Sequence, residues 1–209
     1  MDDYLNYNES PLRRRYFYIT ILRDPVLRYL SEFKHVQRGA TWKGSVHKCN
    51  GKPASRAEIP PCYDDINEED WADVELDEFM NCPYNLAANR QTRMLADLRL
   101  VNCYNTSFMS QKGRDLTLIN SAKTNLEKMA FFGLTERQSE SQKMFEHVFD
   151  LRFKNAFKQN NETTSSKSEH DLDQSVIDKI AEINHLDVEL YEYAKTLFNQ
   201  RYKEIINDD

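Results

Sequence analysis

Residues 17–31, FYITILRDPVLRYLS, decide the fold. Five β-favouring residues and a leucine, Phe17 to Leu22, run straight into Arg23-Asp24-Pro25, and the apolar spacing beyond is that of an amphipathic helix. Asp24 is suited to cap that helix and Pro25 to occupy its first turn, where a missing N–H costs nothing. The stretch therefore reads as a buried strand over 16–22 and a helix over 25–38. Arg23 is left at the carboxyl end of the strand, where open α/β sheets place their ligands. Ser31 follows two turns into the helix, able to face the same crevice. Taken singly, Arg23 reads as a strand-end salt bridge and Ser31 as an exposed helix serine. Together they make a phosphate clamp, a cationic fork beside a small hydroxyl donor.

Working outward, a second strand-to-helix unit appears. Met129 to Leu134 reads as another buried strand, and Thr135-Glu-Arg-Gln138 has the T-x-x-Q form of a capping box opening a helix over 136–149. Helices over about 85–98 and 114–128 separate the two units, so the strands are expected to lie parallel in an α/β sheet. On the first of these helices Arg90 and Arg93 read as surface charges, with a ligand role as the alternative. Val176, Ile180, Ile183, Leu190, Ala194 and Leu197 keep helical spacing along one long C-terminal helix, a stripe that reads as core. Residues 39–75 carry Pro53, Pro60, Pro61 and three glycines, and read as a long, functional excursion with little regular structure. Residues 158–171, KQNNETTSSKSEHD, read as a loop.

The strand-Arg-Asp-Pro-helix-Ser pattern resembles the 3′-phosphate-binding motif of sulfotransferases that use 3′-phosphoadenosine-5′-phosphosulfate (PAPS). The continuation RYLSEFKHVQRGATWK at 28–43 is similar to the heparan-sulfate 6-O-sulfotransferases. PPCYDD at 60–65, EFMNCPYNLAANRQTRMLADL at 78–98, MAFFGLTE at 129–136 and LYEYAKTLFNQRY at 190–202 fit the same family. The resemblance implies an α/β, P-loop-like sulfotransferase fold with a parallel sheet flanked by helices, represented without its N-terminal portion. It implies a loose lead-in at 1–14, a domain at 15–204 holding the C-terminal two-thirds of the family's fold, and a tail at 205–209. The implied activity is transfer of a sulfuryl group from PAPS to the 6-hydroxyl of glucosamine in heparan sulfate, with no metal and no nucleic-acid partner. The alternatives are a truncated or inactive isoform that binds nucleotide or heparan sulfate, and an interaction scaffold.

By that resemblance Arg23 and Ser31 hold the 3′-phosphate. Lys158, Gln159, Asn160, Thr164 and Ser165 fall where the family contacts the nucleotide from a late loop, although the loop itself departs from the family's usual residues. His35 and Trp42 match positions that touch the sugar chain. His35 lies one helical turn beyond Ser31, and Trp42 offers a flat face on which a pyranose can stack. The family's phosphosulfate loop, rich in Gly, Ser and Lys, has no counterpart in residues 1–209, nor does the histidine that serves it as acceptor-side base. No catalytic residue is assigned, and this polypeptide alone is expected to be inactive.

The net charge of −6 conceals a division. Residues 12–56 carry eleven Lys or Arg against Asp24 and Glu32, a net +9, whereas residues 57–80 carry ten Asp or Glu and no Lys or Arg. Charge position rather than the sum sets the field an anionic ligand feels, and the basic segment coincides with the clamp. The 209 residues are long enough to bury a core as one domain. No apolar run approaches the roughly 20 residues needed to span a bilayer, and no secretory signal opens the chain. The family comprises type II Golgi membrane proteins, so an anchor is expected upstream of Met1. Four cysteines (Cys49, Cys62, Cys82, Cys103) and the sequons at Asn8, Asn105 and Asn161 favour an oxidising lumen over a reducing cytosol. Of the three possible connectivities, Cys49–Cys62 with Cys82–Cys103 is preferred.

Overall fold

In the computed structural model, residues 16–39, 48–62, 71–157 and 172–208 are described. Strand β1 (Ile19–Leu22) leads into helix α1 (Pro25–Gln37), and the junction is built as the sequence dictates. The Asp24 carboxylate accepts from the N–H groups of Val26 and Leu27, both at 3.0 Å, with Pro25 in the first turn. At the other end Gly39 adopts a φ of 77°, the left-handed conformation that lets its N–H return to the Val36 carbonyl and close the helix.

A short antiparallel pair, β2 (Lys48–Cys49) and β3 (Lys52–Pro53), follows. Next come helices α2 (Leu76–Asn81), α3 (Arg90–Leu95) and α4 (Gln111–Lys128). Strand β4 (Phe131–Leu134), α5 (Gln138–Phe149), α6 (Gln174–Ile183) and α7 (His185–Asp208) complete the chain. β1 pairs with β4 in parallel, Ile19 beside Phe131 and Leu22 beside Leu134, as the two strand-to-helix units require. Two apolar cores hold the layers. One gathers β4, α4, α5 and α7 around Leu126, Phe132, Leu134, Met144, Leu190 and Phe198. The other gathers α1, α2 and α6 around Tyr29, Leu30, Phe33, Phe79 and Ile180.

Several expectations are corrected. β4 is buried throughout, but β1 is not: Ile19 is 53% and Ile21 64% exposed, because among the described residues β1 pairs on one edge alone. The helix expected over 85–98 shrinks to Arg90–Leu95. Asn89 precedes it in the left-handed conformation, where its side-chain oxygen accepts from the N–H groups of Leu186 and Asp187. The capping box at 135–138 does not form: the Thr135 hydroxyl instead donates to the Leu22 carbonyl across the sheet at 3.1 Å. The single C-terminal helix is two, broken at Asn184, and the second runs on through 205–208 with Ile205 packed against the first core.

The disulfides are Cys49–Cys103 and Cys62–Cys82, so the preferred pairing is wrong. Asn102 and Cys103 both take positive φ, and Arg114 donates to the carbonyls of Val101 and Cys103. That turn swings Cys103 onto the β2–β3 hairpin. Cys82, at the end of α2, is left to meet the loop at Cys62.

Candidate functional site

The carboxyl end of β1 opens on a crevice of about 520 Å³. Arg23 comes from the end of the strand, and Arg28, Ser31 and His35 come from one face of α1. Arg90 and Gln91 close it from α3. The predicted clamp residues Arg23 and Ser31 therefore converge, with His35 beside them. His35 is exposed, and its Nδ1 lies 3.2 Å from the Arg38 guanidinium. Trp42, Lys158, Gln159, Asn160, Thr164 and Ser165 lie outside the described residues.

The electrostatics favour an anion. Arg23, Arg28 and Arg90 line the crevice against one carboxylate, Glu32. Glu32 is already engaged, at 2.6 Å to Arg28 and 3.0 Å to Arg90. Its role is to hold the two guanidiniums in place. Arg28 also donates to the Ala87 carbonyl at 2.6 Å and to Asn184 at 2.8 Å, which fixes α1 against the segment before α3 and the end of α6. Such forks are suited to phosphate oxygens.

Behind the crevice lies a polar hinge invisible in the sequence. The Gln91 side chain accepts from the Arg23 N–H and donates to the Arg23 carbonyl, both at 2.9 Å. The wholly buried Asp187 of α7 accepts from the N–H groups of Gln91 (3.1 Å) and Thr92 (2.7 Å), capping α3 from outside its own segment. Asn184, also wholly buried, accepts from Arg28 and from the Asn89 N–H and donates to the Ile180 carbonyl. Glu136 ties the two strand ends together, accepting from the Asp24 N–H at 3.0 Å and from the Tyr191 hydroxyl at 2.6 Å. The one signal that pointed here was NRQTRM at 89–94, but the expectation of surface charge fails for Arg93. Its Nε is buried, it donates to the Leu86 carbonyl, and burial pulls its pKa down to about 10, so it stays charged at neutral pH.

On the other side of β1 an apolar cavity of about 830 Å³ is lined by Ile19, Ile21, Phe131, Phe145 and Phe157. It ends at the residue before Lys158. A pocket that apolar, with Thr135, Gln138 and Asn155 at its border, suits a planar base. Among the described residues no group of His, Cys, Asp and Glu has the arrangement of a metal site, and no helix is long and apolar enough to cross a membrane.

A parallel strand pair flanked by helices, with an arginine directly after the first strand and a helix serine lining the same arginine-rich crevice, is an α/β arrangement suited to an anion. The chain belongs to the sulfotransferase family, whose model matches residues 2–194. It is 53% identical over 201 residues to heparan-sulfate 6-O-sulfotransferase 1-B of Danio rerio, covering 95% of this chain and 48% of the relative. It is 55% identical over 190 residues to heparan-sulfate 6-O-sulfotransferase 1 of Homo sapiens (91% and 45%) and 54% identical over 189 to the human form 3 (90% and 39%). The chain thus spans about half the length, or less, of the curated relatives it matches.

Proposed function

We propose that this chain supplies the 3′-nucleotide and acceptor side of a heparan-sulfate 6-O-sulfotransferase, with PAPS as donor and the 6-hydroxyl of glucosamine as acceptor. The observation that carries this reading is the convergence of Arg23, Ser31 and His35 on one cationic crevice at the end of β1. Arg23 and Ser31 hold the 3′-phosphate, and the apolar cavity beside β1 takes the base. Lys158, Gln159, Asn160, Thr164 and Ser165 continue from that cavity in sequence as further nucleotide contacts. His35 and Trp42 meet the sugar chain. Bound PAPS supplies the activated sulfuryl group; the residues of this chain bind and orient it, which is the main demand of an in-line transfer. Two internal disulfides suit an oxidising compartment, and the Golgi lumen, reached through a type II anchor, is the proposed location.

The test is nucleotide discrimination. The chain is expected to bind 3′,5′-ADP more tightly than 5′-AMP by calorimetry. Arg23→Ala should remove most of the difference, since a charge-assisted contact is worth about 1.5–3 kcal/mol. Equal affinity for both nucleotides in the unaltered chain would remove the clamp assignment.

A further inference from the structure

A second cavity of about 560 Å³ adjoins the crevice, sharing Arg90 and Met94 with it. Its cations are Lys48, Arg90, Arg93 and Arg99, and its one carboxylate is Asp97. Asp97 is taken up by Arg99, which donates to it through Nε at 2.8 Å and Nη2 at 2.6 Å. Arg90 is paired with Glu32. Lys48 and Arg93 form no ion pair among the described residues, and the buried Nε of Arg93 has no hydrogen-bond partner there. A buried guanidinium N–H left in that state is costly unless a ligand completes it. Beside Asn50, the lining includes an apolar part from Met94, Leu98 and Tyr104, the kind of surface that accepts the C–H face of a pyranose. The Cys49–Cys103 disulfide ties the hairpin bearing Lys48 to the segment bearing Tyr104, so the two walls are held together covalently.

We propose that this cavity is a subsite for a sulfated or carboxylated sugar residue of the acceptor chain, several positions from the one that enters the crevice. It rests on the sulfotransferase reading of that crevice. The acceptor class is a linear polyanion, and Arg90 and Met94 line both cavities. Lys48 and Arg93 then read the charge of that more distant residue, so the subsite selects the sulfation pattern around the acceptor rather than the acceptor itself.

The experiment compares an N-sulfated heparan octasaccharide with the corresponding disaccharide, and 3′,5′-ADP with 5′-AMP. Each is titrated into the unaltered chain and into Lys48→Glu/Arg99→Glu, two exposed positions whose reversal leaves the cores intact. Lys128→Glu/Lys143→Glu, a reversal of the same size away from both cavities, is the control. Octasaccharide affinity is expected to fall about tenfold or more in the first variant alone, with disaccharide and 3′,5′-ADP affinities unchanged. An equal loss in the control, an unchanged octasaccharide affinity, or no octasaccharide binding by the unaltered chain would each overturn the subsite. Loss of the preference for 3′,5′-ADP in the unaltered chain would instead bring down the reading of the crevice, and the two failures are separate measurements.

Discussion

The side-chain amide of Gln91 grips both backbone polar groups of Arg23, accepting from its N–H and donating to its carbonyl, each at 2.9 Å. Gln91 is in turn anchored by its own N–H to the buried Asp187 carboxylate at 3.1 Å. The backbone of Arg23 is therefore held from α7, through α3, across a sequence distance no local pattern reports.

The first prediction follows from that geometry. Gln91→Glu keeps size and shape but has no donor for the Arg23 carbonyl, while Gln91→Leu loses both bonds. Affinity for 3′,5′-ADP should fall by about tenfold, the equivalent of one or two lost hydrogen bonds, with 5′-AMP affinity little changed. A proportional loss for both nucleotides would show that Gln91 supports the fold without orienting Arg23.

The second prediction concerns the covalent frame. Peptide mapping without reduction should recover Cys49–Cys103 and Cys62–Cys82. The sequence separations are 54 and 20, so by chain entropy the outer bridge is worth about 4 kcal/mol and the inner about 3 kcal/mol. The inner loop lies within the outer one, and removing both should cost less than the sum of the two. Denaturant midpoints of the Cys-to-Ser pairs check the order.

The third prediction concerns pH. Burial raises Tyr29 and Tyr191 well above the ordinary 10.0, and for Tyr191 the bond to Glu136 pushes the same way. The folded state keeps these protons while the unfolded chain releases them above about pH 10. Their stabilisation is thus complete below about pH 10 and declines as pH rises beyond it. Denaturant midpoints should be flat through neutrality and fall at alkaline pH, and Tyr191→Phe should make that decline shallower. Tyrosine absorbance should show a fraction that ionises only with unfolding.

The fourth prediction separates buried from exposed charge. Asp187→Asn leaves one of the two N–H groups of α3 without its acceptor, and should cost about 1.5–3 kcal/mol. The Lys179–Asp77 pair, 3.3 Å apart with both side chains largely in solvent, should cost no more than about 1 kcal/mol when Asp77→Asn removes it. Equal effects in urea unfolding would show that the hinge behind Arg23 carries no special weight.

What the sequence revealed was local. Arg23, Asp24, Pro25, Ser31 and His35 lie within thirteen residues, and strand, cap and helix periodicity fix their relation without tertiary knowledge. The hinge escaped because Gln91, Asn184 and Asp187 act across the chain and sit on helix faces where a polar residue looks like surface. Asn184 breaks a helix whose apolar spacing runs on undisturbed, since its side chain replaces a packing contact with three hydrogen bonds. Thr135 was misread because a hydroxyl that caps its own helix and one that reaches across a sheet leave the same letter in the sequence. The cysteines paired by tertiary proximity, set at 102–103 by two left-handed residues that composition does not announce.

The last prediction concerns turnover by the 209-residue polypeptide. Of the described histidines, His35 alone lines the crevice, and its Nδ1 faces Arg38, a group that can only donate. That contact suits His35 to orienting a sugar chain and leaves the acceptor-side base unassigned among the described residues. Nor, among the described residues, does a Gly/Ser/Lys-rich loop line the crevice to neutralise the leaving phosphate. Absence of a general base alone typically costs about a hundredfold to ten-thousandfold, and absence of the loop adds a failure of positioning. With PAPS and N-sulfated heparan chains, the polypeptide should therefore bind 3′,5′-ADP and transfer no detectable labelled sulfate. Fusing it to the upstream part of a 6-O-sulfotransferase relative should give transfer, and His35→Ala in that fusion should weaken acceptor use more than kcat. PAPS-dependent transfer by the 209 residues alone would place the base elsewhere on this chain and overturn the division of labour proposed for the crevice.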